Sequence, residues 1–100
     1  MSKEATKLVL IVCEQGVEPD VMGALRSVGV SHYTRWTDCT GSGETGTREG
    51  TAIWPGLNSV VMVVMDAALV APLHARLREV CDSFPVTPGL RMIVTDAVIL

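Results

Sequence analysis

The sequence is short of aromatic residues, of charge, and above all of any excess of basic residues. Aromatics make up 4% and charged residues 19% of its 100 positions, with 8 Lys and Arg against 11 Asp and Glu and a net charge of −3. That balance leaves no sequence-wide electrostatic footprint for nucleic acid or anionic lipid, so neither is expected as a partner. The three cysteines, Cys13, Cys39 and Cys81, are odd in number and form no Cys-x-x-Cys pair. The opening MSKEATK carries no signal-peptide pattern. Together these features lead us to expect a reduced, cytoplasmic protein. The apolar run Val60–Val64 is far short of the about 20 residues that a membrane span requires. No membrane insertion is expected.

What the sequence does have is a 48% hydrophobic composition, enough for one domain over residues 1–100 with a real core. A chain this short buries only about two-thirds of its unfolded surface. With so few charges, its outside is short of polar cover, and we expect copies of the chain to cover one another.

The hydrophobic patterning sets the element order. Lys7–Cys13 is a β-branched apolar run that suits a central strand buried on both faces. The spacing of Val21, Met22, Leu25 and Val28 predicts a helix over about 18–28, opened by Pro19 and stopped by Gly29. Val30–Thr37 reads as a second strand with a more exposed face, and Ser59–Met65 as a third, buried one ending at Asp66, a good helix cap. Leu69, Leu73, Leu77, Val80 and Phe84 share one helical face, with Pro72 marking the start of the regular part. Pro85, Pro88 and Gly89 punctuate a turn before a fourth strand at Arg91–Thr95. The order βαββαβ specifies an α+β, ferredoxin-like sandwich with an antiparallel four-stranded sheet.

The connection at about 39–57, within CTGSGETGTREGTAIWPGLN, is the best functional candidate, because connections this long inside compact domains usually carry function. Gly41-Ser-Gly-Glu-Thr-Gly46 matches the spacing G-x-G-x-x-G. It runs on toward another strand, however, instead of opening the helix that a dinucleotide pyrophosphate needs. A Walker A site is excluded as well, since Thr47-Arg48 stands where Lys followed by Ser or Thr is required. His32 and Cys39 could join Glu44 or Glu49 around a metal, but their spacing shows no convergence, and we assign no metal ligands. His74 falls off the apolar stripe of its helix, and Trp36 and Trp54 are read first as packing residues. No nucleophile, base and orienting acid form a recognisable arrangement, so the expected activity is binding and not catalysis.

Four stretches carry a resemblance. KLVLIV in the first strand, ALRSVGVSHYTRW from helix to strand, TGSG at the start of the long connection and REGTAIWPGLNSVVMVVMD at its end resemble the PII-like group of the PII signalling superfamily over nearly the whole chain. The resemblance implies a compact homotrimer with small-effector sites, for adenine nucleotides such as ATP, ADP or AMP, in the clefts between subunits. It also implies that the long connection is a T-loop, which engages a regulated partner protein such as a transporter. By position, Gly41, Ser42, Gly43 and Glu44 match the phosphate-approaching loop base. Thr87, Pro88, Gly89, Leu90 and Arg91 match a second phosphate loop. The sequence departs from the pattern in having Thr-Pro-Gly-Leu-Arg where PII proteins have a glycine-rich stretch with an acid and a lysine. It has no tyrosine in the loop, Glu44-Thr45 in place of an arginine-glutamine pair, and no C-terminal basic pair before Leu100. The alternatives are a metal-responsive trimer similar to the CutA divalent-cation tolerance proteins, or a protein-interaction module without a small effector.

Overall fold

The computed structural model of the chain describes residues 6–43, 46–48 and 57–100, with side chains at 43 and 46–48 left aside. The main-sheet strands are β1 (Thr6–Glu14), β2 (Thr34–Cys39), β5 (Asn58–Asp66) and β6 (Leu90–Asp96). Helix α1 (Glu18–Ser27) follows β1, and α2 (Val70–Asp82) follows β5. A two-stranded antiparallel ribbon, β3 (Gly41–Gly43) with β4 (Gly46–Arg48), lies between β2 and β5. The main sheet has the order β2-β5-β1-β6, and every neighbouring pair is antiparallel. This is the expected ferredoxin-like βαββαβ arrangement.

Alternation along the strands sorts the side chains into two faces. Val9 and Ile11 of β1 lie opposite Val63 and Val61 of β5, and all four are buried beneath the helices. Val21 and Leu25 of α1 and Leu73 and Leu77 of α2 complete that core, with Leu69, Val80 and Phe84 packed around it. The other face corrects an expectation. The first strand reads as buried on both faces and the third as buried, yet among the described residues the second face of both is left uncovered. Leu10 and Met62 are half-buried there, while Val64 and Ile93 are exposed at 42% and 49%. Both helices lie on one side of the sheet, and no other element among the described residues covers the opposite face.

The ends of the elements follow local chemistry, with two shifts from the sequence reading. The second strand starts at Thr34 and not at Val30, because Val30 still belongs to the end of α1. Gly29 adopts φ +85°, its N–H donates to the Arg26 carbonyl at 3.0 Å, and the Val30 N–H donates to the Leu25 carbonyl at 3.0 Å. That pair of bonds is a Schellman cap, which absorbs carbonyls the helix leaves open. Helix α2 begins at Val70, two residues before Pro72. Pro72 lies in the first turn, where its missing N–H would have had no helical partner anyway. The Asp66 side chain accepts from the Ala68 N–H at 3.0 Å, capping the 3-10 turn that leads into α2. Across β1 and β6, Lys7 pairs with Asp96 and holds that carboxyl below its ordinary value.

Candidate functional site

The two candidate loops meet at one end of the sheet, on either side of the last residues of β1. On one side, β2 turns through Asp38 and Cys39 into the glycine ribbon. On the other, the Glu14 N–H donates to the Gly89 carbonyl at 2.8 Å, fixing the approach to β6. In cross-strand register, Cys39 faces Asn58, Asn58 faces Glu14, and Cys13 faces Leu90. The connection leaves the edge strand β2 and returns at the interior strand β5, so its two ends stand three and two strand spacings, about 14 and 10 Å, from β6.

Gly41 lets a neighbouring side chain approach the backbone closely. A Cβ there would lie 2.7 Å from Asn58 Nδ2, so the carboxamide of the residue that opens β5 rests directly on the glycine backbone. The last glycine of G-x-G-x-x-G falls in β4, so the glycine motif shapes a hairpin and opens no helix. Gly41 and Ser42 lie on β3 and Gly43 ends it, while Glu44 lies outside the described residues. Thr87 is exposed in the segment before β6, Gly89 is half-buried, and Arg91 is exposed on the uncovered face opposite Val12. The structure thus gathers both proposed loops at one end of the sheet.

The polar contacts that hold this end come from residues the sequence reading did not single out. Glu18, in the first turn of α1 and 13% exposed, accepts from the buried Ser59 hydroxyl and pairs with Arg35 Nη1 at 2.9 Å, tying α1, β2 and β5 together. Gln15 donates through Nε2 to Asp38 Oδ1 at 2.9 Å, and its backbone N–H donates to the Leu57 carbonyl at 2.9 Å. The Cys13 thiol is pushed up to about 11, chiefly by burial and secondarily by the Glu18 charge. A thiol held protonated in this way is a packing group, not a nucleophile. Only Asn58 had a sequence signal, as the last residue of WPGLN. The others are ordinary polar residues whose partners are set by the fold.

The remaining candidates are dispersed. His32 and His74 are exposed, and Cys39 is half-buried with its thiol directed at the Thr37 carbonyl, 3.8 Å away. Among the described residues no three His, Cys, Asp or Glu side chains converge as metal ligands, and Glu49 and Trp54 lie outside them. Trp36 does not pack in the core as read; it stands 47% exposed on the uncovered face beside Val60. An open groove of about 300 Å³ between Ser27 of α1 and Arg76 and Glu79 of α2 lies in the helical layer, away from both loops. No helix among the described residues is long and apolar enough to cross a membrane.

No protein-family model and no curated protein matches the sequence, whereas solved structures do. CPII, a nitrogen regulatory PII-like protein from Thiomonas intermedia K12 bound to ADP, AMP and bicarbonate, superposes with a TM-score of 0.78. The match is at 20% identity and covers 94% of this chain and 87% of that one. A Thermus thermophilus protein described as PII-like gives a TM-score of 0.70 at 22% identity, covering 95% and 89%. Arabidopsis thaliana PII, bound to citrate, gives 0.66 at 16% identity, covering 95% and 79%. At such identities it is the architecture that is shared: this chain has the fold of the PII and PII-like proteins, with a glycine ribbon where its second and third main-sheet strands connect.

Proposed function

We propose that this chain is a PII-like regulatory protein, a single domain over residues 1–100. It acts as a cytoplasmic homotrimer, binds a small effector between subunits, and presents the 39–57 connection as a T-loop to a regulated partner such as a transporter. The observation that carries this reading is the placement of both candidate loops at the same end of a PII-like sheet, on either side of the last residues of β1. The apolar face left uncovered by the described residues supplies a surface for a neighbouring protomer. Gly41, Ser42, Gly43 and Glu44 then form one wall of a cleft between subunits, and Thr87, Gly89 and Arg91 form another. Glycine backbone permits close amide approach to phosphate, and Arg91 supplies a charge-assisted bond. Adenine nucleotides are the effector class, in keeping with the ADP and AMP bound by the structurally similar CPII. The chain works as a binding protein, and the ligand leaves unaltered.

The test is a thermal-shift panel of ATP, ADP, AMP, cyclic nucleotides, bicarbonate and divalent metals. A ligand that binds only the native state adds about 2.7 kcal/mol of apparent stability at one hundred times its Kd. We expect at least one adenine nucleotide to raise the midpoint. A shift with metals and none with nucleotides would overturn the reading in favour of a metal-responsive trimer, and a flat response throughout would favour a protein-interaction module.

A further inference from the structure

We propose that Gln15 is a clasp that closes the base of the long connection by holding both of its ends at once. Its backbone N–H bonds to the Leu57 carbonyl, where the chain returns to the sheet. Its side chain bonds to Asp38, where the chain leaves it. The two ends of the connection are thus tied to one residue in the turn between β1 and α1.

The departing end is a place where the backbone can move. Strand β2 pairs in register through Thr34, Arg35 and Trp36 with Met62, Val61 and Val60, and the next pair is Cys39 with Asn58. Thr37 and Asp38 together oppose Ser59 alone, a β-bulge that interrupts the ladder. Asp38 adopts φ +58°, a left-handed conformation that costs a non-glycine residue free energy unless its surroundings hold it. The Gln15 carboxamide is the side-chain partner that holds it. Behind the bulge, the Arg35–Glu18 pair pins β2 to α1 independently. The bulge is therefore a hinge with a fixed side and a clasped side, and the glycine ribbon hangs from the clasped side. This arrangement is read from contacts within one protomer and does not depend on effector binding.

Hydrogen exchange on the ligand-free full chain, read by mass spectrometry, tests the clasp. Gln15→Ala should speed exchange over residues 38–43 about 3- to 10-fold, the scale of losing one exposed hydrogen bond, while residues 34–36 and the core of β1 keep their protection. Gln15→Glu should behave likewise, because a carboxylate cannot donate to Asp38. Gln15→Glu combined with Asp38→Asn reverses donor and acceptor and should restore protection at 38–43. Unchanged exchange at 38–43 in Gln15→Ala, or failure of the reversed pair to restore it, would overturn the proposal. A loss of protection spread evenly over the sheet would overturn it too, since Gln15 would then be supporting the whole fold and not the hinge.

Discussion

Glu18 shows how much of this protein rests on single polar side chains. Its carboxylate is mostly buried, yet among the described residues no buried side-chain polar atom lacks a hydrogen-bond partner, because Ser59 and Arg35 satisfy it from two strands. Replacing it with alanine leaves the fully buried Ser59 hydroxyl without its acceptor. Such a loss costs about 1–3 kcal/mol, and Glu18→Ala should lower the urea midpoint accordingly. The neighbouring Cys13 gives a pH signature. Its pKa rises from an ordinary 9.0 to about 11 on folding. The contribution of the protonated thiol is therefore intact below pH 9 and is lost as pH rises through about 11. Native protein should show Cys13 resistant to alkylation below pH 9, with stability declining across that alkaline window more steeply than in Cys13→Ala. An equal decline in Cys13→Ala would show that other groups cause it.

At the level of elements, the same substitution should have opposite effects at two glycines. Gly29 closes α1 in a left-handed conformation, so Gly29→Ala should destabilise by about 1–2 kcal/mol. Gly23 lies inside α1, where an added Cβ meets only the far end of the Arg26 side chain at 3.8 Å. Gly23→Ala should therefore stabilise by about 0.5–1 kcal/mol, and thermal melts of the two variants should move in opposite directions. Both helices are legible in the sequence for the same kind of reason: their apolar positions repeat at helical spacing, and Gly29 and Asp66 mark ends through local geometry. The sequence places the strand near Val30 four residues early because β-branched and aromatic residues advertise a strand wherever they stand. The Schellman cap claims Val30 first.

For the whole molecule, the uncovered sheet face is the decisive feature. Leu10, Met62, Val64, Ile93 and Trp36 lie on it, and the described residues of one chain leave this apolar area uncovered. We expect light scattering to give three times the 10.7 kDa of one chain. Met62→Asp should reduce that mass to a single chain while preserving helical circular dichroism, since Met62 is outside the core beneath the helices. A variant that remained trimeric would show that the trimer forms elsewhere.

The sequence by itself determined the order of elements, the apolar stripe of each helix, and the caps at Gly29 and Asp66, because these depend on residues a few positions apart. It also marked the glycine-rich connection as the part to watch. Only the tertiary structure decided that the two candidate loops share one end of the sheet, that the described residues leave one face of the sheet bare, and that Gln15 holds Asp38 while Glu18 holds Ser59. Those partners are 23 and 41 positions apart. A glutamine or a glutamate reads the same in any sequence until strand pairing brings its partner within hydrogen-bonding distance.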